Sequence, residues 1–210
     1  MGKKENPASY REFKIDGWTR NLGSRNLLRK KFGLLSDRAP GIMPDFSNGF
    51  STGFLPPSGK IYPVEYFMGG VASYKRGLVE KINFSPYFEG YGLYEDMDFC
   101  LRASSLGQLY VNTAAPLHHL HEESGRPNNF EYGKMVVRNG WYVWRVKYPQ
   151  PKLRAQLKWH GTLLLLTLVR IGNIFTTSKR NEALTESLGR IAGWYSLFLD
   201  KPLIKDSREL

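Results

Sequence analysis

The sequence predicts an α/β fold that continues into a helical C-terminal appendage. Short apolar stretches separated by turn residues in the centre of the chain are typical of alternating strands and helices. Long stretches of helical periodicity follow from residue 128 onward. A doubly wound α/β domain normally opens on a buried apolar strand, and no such strand is visible before residue 60. We therefore expect only part of such a domain, at residues 61–127, between a lead-in at 1–60 and a helical C-terminal region at 128–210.

Residues 1–60 form a loop-rich, basic lead-in. Gly, Pro, Ser and Asn are dense between residues 39 and 60, and no strand period is visible in the segment. Long irregular stretches of this kind are usually functional loops or disordered segments. The basic residues of its first part are Arg20, Arg25, Arg29, Lys30 and Lys31.

The central segment carries the mixed strand and helix pattern. Gly107 would end its longest helix, whose apolar positions Phe99, Ala103 and Leu106 share one face. Strands are predicted at 62–68, 71–74 and 109–111, helices at 76–82 and 95–106, and a loop at 84–94.

Three helices are predicted in the C-terminal segment, at 128–147, 152–175 and 181–199. Pro149 and Pro151 separate the first two. Five large apolar residues share one face of the third helix at helical spacing. They are Leu184, Leu188, Ile191, Tyr195 and Phe198.

Charge and apolarity coincide in the C-terminal segment. The net charge is +11, and no acidic residue occurs between Tyr132 and Asn181, where ten Lys and Arg residues lie. The apolar run at 161–175 contains Arg170 and is shorter than the roughly 20 residues of a spanning helix. We therefore expect this segment to lie on an anionic membrane surface, with packing against the domain as the alternative, and we do not expect nucleic-acid binding.

The N-terminus has no apolar segment of a secretory signal, and the single cysteine, Cys100, excludes an intrachain disulfide. Together with the basic helical segment, this predicts a cytoplasmic protein, peripheral at the inner face of the cell membrane.

Three carboxylates, Glu95, Asp96 and Asp98, open the helix predicted at 95–106. In the first turn they meet the positive end of the helix dipole, which favours their ionised form. Asp98 and Arg102 are four residues apart and can form an ion pair, whereas Asp96 points about a third of a turn away and is free to face a cleft. There it can accept a proton from a substrate hydroxyl. The alternative is a helix that simply opens with acidic residues.

Two weaker patterns flank this helix. Gly69 and Gly70 follow a predicted strand, and paired glycines either let a ligand approach the backbone or form a tight turn. His118, His119 and His121 precede two glutamates, a combination that binds a transition metal or forms an exposed polar loop.

Taken in order, these segments resemble the C-terminal half of family 2 glycosyltransferases of the GT-A type, including the segment described as the galactosyltransferase C-terminal region. The family pattern is a Gly-Gly pair, an aromatic residue with Arg, FDE, a Tyr/Gly loop, EDxDxxxR, a Gly and a late His. The matching stretches are residues 66–76, the loop at 84–94, the acidic helix start at 95–102, Gly107 and the histidines. The fold implied is a partial GT-A-like (Rossmann-like) domain.

The resemblance implies inverting transfer of a sugar from a nucleotide-sugar donor to a glycan or lipid-linked acceptor, as in polysaccharide and cell-envelope biosynthesis. It implies that Asp96 is the general base for the acceptor hydroxyl and that Glu95 orients the acceptor or the base. Asp98 and Arg102 would support the site through their ion pair. The substrate-binding positions that it implies are Met68, Gly69, Gly70, Tyr91, Gly92, Asp98 and Arg102.

A divalent cation, Mg²⁺ or Mn²⁺, is implied on the donor diphosphate, in contact with His118 or, in an alternative register, His119. The chain departs from the family twice. The FDE element is replaced by Phe84-Ser85-Pro86, and no DxD motif precedes Glu95. We therefore expect the nucleotide-binding half upstream of residue 1 or on a separate chain. The alternative is a truncated, non-catalytic module that binds a membrane or a partner.

Overall fold

The computed structural model describes residues 10–117 and 127–204. Helices account for 49% of these residues and strands for 9%, which confirms a mixed helix and strand fold. The finer GT-A-like description is not confirmed, because the described strands pair only as two separate antiparallel sheets of two strands each.

The elements agree with the sequence in the centre and the C-terminal segment more closely than in the lead-in. The predicted strand at 71–74 is wrong, because these residues form an open loop along a cleft. The strands are β1 (Glu12–Ile15), β2 (Trp18–Asn21), β3 (Ile61–Val64) and β4 (Leu109–Asn112), and the helices are α1 (Ser24–Lys31), α2 (Arg76–Val79), α3 (Glu95–Ser104), α4 (Asn129–Lys147), α5 (Leu153–Thr176) and α6 (Arg180–Leu199), with 3-10 turns at Thr52–Phe54 and Pro86–Phe88.

The lead-in contains a β-hairpin and a helix that the sequence analysis did not predict. Strands β1 and β2 pair around Asp16 and Gly17, whose φ angles are 50° and 75°. Two successive positive φ angles define the tight turn that Asp-Gly sequences favour in hairpins. Phe13 then packs on Phe50, with ring centroids 4.6 Å apart, and this contact fixes the hairpin on the following loop.

Helix α3 lies at the centre of the core. Its residues Met97, Cys100 and Leu101 pack with Trp141 and Trp144 of α4. Phe99 and Ala103 are buried in a second, smaller cluster, as their spacing predicts. Leu106 lies beyond the end of α3 and is exposed, because the helix ends two residues earlier than expected.

Helices α4 and α6 pack with their backbones in close contact. Gly133 faces the Glu186 carbonyl, Gly189 faces the Phe130 carbonyl, and a Cβ atom at either glycine would overlap that carbonyl oxygen. The buried side of α6 is therefore made mainly of small residues, with Glu186 and Leu197 beside them. The predicted large apolar face is exposed.

Helix α5 has one packed side and one open side. Trp159 and Leu163 are buried in the core, whereas Leu157, Leu164 and Leu168 are exposed. Arg170, which interrupts the apolar run, forms an ion pair of 2.8 Å with Glu186 of α6. Among the described residues, no helix is long and apolar enough to cross a membrane.

Candidate functional site

The acidic start of α3 is held by an unusual backbone turn. Tyr94, the residue before the helix, has a left-handed conformation with φ 74°, and Gly92 has φ 67°. A left-handed non-glycine residue costs of order 1–3 kcal/mol and tends to occur at functional sites. At Gly92 a Cβ atom would also lie 2.6 Å from the Glu95 carboxylate. This turn therefore needs glycine, both for its conformation and for space.

Asp96 is fixed by two backbone amides. Its Oδ2 accepts a hydrogen bond of 2.8 Å from the amide of Gly69, and its Oδ1 accepts one of 2.7 Å from the amide of Met97. A Cβ atom at Gly69 would lie 2.9 Å from the Asp96 Cβ, so the loop approaches this closely only with glycine. The Gly-Gly pattern and the acidic pattern of the sequence are thus in direct contact in the folded chain.

Tyr74 also holds the loop that contains Gly69 against α3. Tyr74 packs edge-on against Phe99, with ring centroids 4.8 Å apart, and its hydroxyl lies 3.7 Å from the Cys100 sulfur. Burial, first of all, raises the pKa of Cys100, so its thiol remains protonated at neutral pH. Cys100 therefore acts as a packing residue here.

A cleft of about 1560 Å³ opens beside this contact. Met68, Gly69, Gly70 and Asp96 line it. Asp96 is the one carboxylate among the described residues of its wall, and it stands at the positive end of α3. The cleft thus presents one oriented carboxylate beside a glycine loop.

The other predicted site residues lie around this carboxylate without lining the cleft. Glu95 is largely exposed beside Gly92. The partial burial of its carboxyl, followed by the neighbouring Asp96, raises the pKa of this group. Tyr91 is 40% exposed and meets Tyr132 edge-on, with ring centroids 6.3 Å apart. The role of Glu95 in orienting the acceptor or the base stays a prediction, as do the substrate contacts of Tyr91 and Gly92.

Asp98 and Arg102 form the ion pair that their spacing predicts, but inside the protein. Both Nε and Nη2 of Arg102 donate to Oδ2 of Asp98, at 3.0 and 2.7 Å. The side chains are only 1% and 5% exposed, and neither lines the cleft. Burial raises the pKa of Asp98, and Arg102 opposes this shift. Their position is that of a support for the first turns of α3.

The predicted metal ligands, His118 and His119, lie outside the described residues, as does His121. Within residues 10–117 and 127–204, no group of three His, Cys, Asp or Glu side chains is placed to hold a metal ion. A hard divalent cation prefers several oxygen ligands, and the described cleft wall supplies one carboxylate. The described residues alone do not form a complete metal site.

The sequence analysis missed parts of this site. Thr52, Gly53 and residues 55–57 of the lead-in form one wall of the cleft. Loop composition alone does not show where such a loop folds back. Ser85, which stands in place of an expected acidic residue, caps a 3-10 turn by accepting a hydrogen bond from the Tyr87 amide. Its hydroxyl also lies 3.3 Å from the Tyr142 hydroxyl, so this position supports the fold.

Comparisons of the chain with protein-family models, with curated proteins and with solved structures find no match.

Proposed function

We propose that this chain is the acceptor-side half of an inverting, nucleotide-sugar-dependent glycosyltransferase with a GT-A-like fold. One observation supports this most directly. Asp96 is the single carboxylate among the described residues of the cleft wall, and the Gly69 amide orients it at 2.8 Å. A carboxylate of fixed orientation can accept the proton of a hydroxyl that binds within hydrogen-bond reach of it. The glycine backbone beside Asp96 leaves room for such a substrate.

In the proposed reaction, a hydroxyl of a glycan or lipid-linked acceptor enters the cleft and donates its proton to Asp96. The acceptor oxygen forms a bond to the anomeric carbon of the donor sugar as the bond from that carbon to the diphosphate breaks, which inverts the anomeric configuration. Asp96 already accepts one amide on each oxygen, so its orientation is set before an acceptor binds. A separate nucleotide-binding half would supply the donor and its Mg²⁺ or Mn²⁺.

The test uses this chain together with the nucleotide-binding half that the proposal requires, joined upstream or added as a separate chain. It compares this enzyme with its Asp96→Asn variant on a panel of nucleotide sugars with Mg²⁺ or Mn²⁺. We expect release of nucleoside diphosphate in the presence of acceptor to fall at least about 100-fold in the variant, with donor binding retained. Asp37→Asn, the same change at an exposed position outside the cleft, is the matched control. Equal rates for both variants would disprove the role of Asp96.

A non-catalytic module is the second candidate. It is favoured by the single carboxylate of the described cleft wall, which by itself leaves the donor diphosphate without a metal site. Absence of turnover even when a nucleotide-binding half is supplied, with vesicle binding retained, would support this candidate over the first.

The proposal includes a place for the protein at the anionic inner face of a membrane. We define the α5–α6 apolar surface as Leu157, Leu164 and Leu168 of α5 with the exposed face of α6, Leu184, Leu188, Ile191, Tyr195 and Phe198. His160 and Phe198, whose ring centroids are 6.4 Å apart, connect the two helices. Exposed cationic residues flank the helices at Lys152, Arg154, Lys179, Arg180 and Lys201.

A further inference from the structure

A second cavity, of about 240 Å³, shares no lining residue with the cleft. It lies between α1, the segment 46–49, and helices α4 and α5. Arg25 and Arg29 of α1 form its basic side, and Ser47 adds a hydroxyl. Trp159 and Leu166 of α5 contribute an apolar wall.

Arg29 is a buried cation without a carboxylate partner among the residues that the structure describes. Arg29 is 8% exposed. Among the described residues, its Nε donates to the Leu34 carbonyl at 3.3 Å and its Nη2 donates to the Ser47 hydroxyl oxygen at 3.2 Å. No Asp or Glu of the described residues lies within ion-pair distance of it. A buried charge is costly unless it is paired, so a buried cation that faces a cavity is suited to bind an anion there.

Arg25 increases this imbalance. It stands four residues before Arg29 on the same face of α1, where two like charges repel each other. Burial and the proximity of Arg25 both lower the pKa of Arg29. Arg190 also lines the cavity and donates two hydrogen bonds of 3.0 and 2.7 Å to Glu186, a carboxylate that it shares with Arg170. Among the described residues of the wall there is no carboxylate to compensate Arg25 and Arg29.

Ser47 is prepared to donate into this cavity. Its Oγ accepts a hydrogen bond from Arg29 Nη2 at 3.2 Å and another from the Gly49 amide at 3.2 Å. With both acceptor positions engaged, its hydroxyl hydrogen is left to donate to a third group. Two guanidinium groups and one hydroxyl donor match a doubly charged, multi-oxygen anion.

We propose that this cavity is a binding site for a phosphate group, held by Arg25, Arg29 and Ser47. The volume accommodates a phosphate and a small attached group, and is below the usual range for a ligand as large as a nucleotide sugar. Trp159 and Leu166 face the organic part of the ligand. Phosphate monoesters of lipids and of soluble metabolites share this chemistry, and the site is independent of the proposed transferase reaction.

The first experiment titrates inorganic phosphate into the full chain by isothermal titration calorimetry. We expect saturable binding that weakens at least about tenfold in Arg25→Gln, whose exposed position makes unfolding of this variant improbable as a cause. Lys31→Gln removes the same charge from an exposed position of α1 outside the cavity and should change the affinity less than about twofold. Equal losses in the two variants, or no saturable binding, would overturn the proposal.

A second measurement follows Arg29, whose replacement can also affect folding. Phosphate should raise the melting temperature of the unchanged chain and leave that of a folded Arg29→Gln variant unchanged. If Arg29→Gln does not fold, Ser47→Ala takes its place with the same expectation. A phosphate-dependent shift that persists in the folded variant would overturn the assignment.

The source of the phosphate is distinguished with two monoesters, glycerol 3-phosphate and dihexanoyl phosphatidic acid. Tighter binding of the lipid by about tenfold or more, reduced by Leu166→Ser, would identify a lipid phosphate. Equal affinities would identify a soluble phosphate ester. Either result supports the phosphate site, and failure of both compounds to compete with inorganic phosphate contradicts it.

Discussion

At the scale of single residues, the ion pair of Asp98 and Arg102 couples the acidic motif to the stability of the core. Asp98 Oδ1 and Arg102 Nη1 are buried without hydrogen-bond partners, so each charge depends on the other. Arg102→Met should therefore destabilise the protein by about 3–5 kcal/mol at pH 7, because it leaves a buried carboxylate uncompensated. Urea denaturation measures this loss. Arg76→Met, which removes an exposed pair with Glu80 at the same i,i+4 spacing, should cost less than about 1 kcal/mol.

The loss should also depend on pH. Burial raises the pKa of Asp98 above its usual value, so the folded protein keeps a proton on this carboxyl up to a higher pH than the unfolded chain does. The stabilising contribution of this protonation is present at low pH and is lost as pH rises through the folded-state pKa. Without Arg102 that pKa rises further, so the Arg102→Met variant should lose less stability near pH 4 than at pH 7. An equal loss at both pH values would contradict a buried charge as the cause.

His160 should make the stability of the helical region sensitive to mild acid. Its Nδ1 accepts a hydrogen bond of 3.0 Å from Trp194 Nε1, an arrangement that leaves this nitrogen unprotonated. Burial, followed by the charge of Lys201, lowers the pKa of His160 below its usual 6.5. The unfolded chain therefore binds a proton first, and folding stability falls as pH decreases from about 6.5 toward the lower folded-state pKa.

The measurement is the free energy of unfolding between pH 7.5 and 5 for the unchanged chain and for His160→Asn. Asn keeps a side-chain acceptor for Trp194 and does not titrate. The variant should show a smaller decrease in stability over this range than the unchanged chain. Identical slopes would assign the acid sensitivity to other groups.

At the scale of elements, glycines determine how α4 and α6 pack. A Cβ atom at Gly189 would overlap the Phe130 carbonyl, and one at Gly193 would lie 2.9 Å from the Lys134 carbonyl. Gly189→Ala should destabilise the protein by about 1–3 kcal/mol or more, because the helices would have to separate. Thermal unfolding tests this. Gly172→Ala in α5, where nothing lies within 4 Å, should instead stabilise by up to about 1 kcal/mol through helix propensity.

The same glycines show what the sequence could and could not predict. Periodicity identified α4, α5 and α6 to within a few residues and grouped Leu184, Leu188 and their neighbours on one face. The usual expectation that such a face packs inward fails here, since close backbone packing uses the opposite, small-residue face. Asp16-Gly17 was a hairpin signal that the polar composition of the lead-in obscured.

The candidate site was predictable in part for similar reasons. The helical spacing of 95–102 identified the Asp98–Arg102 pair and the different direction of Asp96. The contact between Asp96 and Gly69 joins residues 27 positions apart, and spacing within one helix cannot predict it. The pairing of Arg29 with the distant Ser47 was equally inaccessible, because it depends on how the lead-in folds back over α5.

At the scale of the whole molecule, the positive charge is distributed in separate places. Part of the +11 net charge lies at Arg25 and Arg29 in the second cavity, and another part flanks α5 and α6. The two sets can be separated by experiment. Arg25→Gln should weaken phosphate binding and have little effect on attachment to a membrane, since Arg25 is not among the residues of the α5–α6 apolar surface.

Attachment to a membrane should depend on the α5–α6 apolar surface and on the charges beside it. Deleting the C-terminal helices would remove Trp159 and Leu163 from the core, so substitution of exposed residues is the better test. The triple variant Leu157→Ser, Leu164→Ser, Leu168→Ser should bind vesicles containing anionic lipid at least about tenfold more weakly, because three apolar side chains no longer enter the bilayer interface. Vesicle co-sedimentation measures this partitioning.

A matched control replaces three exposed apolar residues outside these helices, Phe32, Ile61 and Val79, by serine. This variant should bind as the unchanged chain does. Salt should weaken binding of the unchanged chain to anionic vesicles, and neutral vesicles should bind it poorly, because the flanking lysines and arginines contribute about 1 kcal/mol each near an anionic surface. Equal binding by both triple variants would mean that the surface is not the point of attachment. Binding that does not change with salt concentration but is lost in the triple variant of Leu157, Leu164 and Leu168 would mean that apolar contact alone holds the protein to the bilayer.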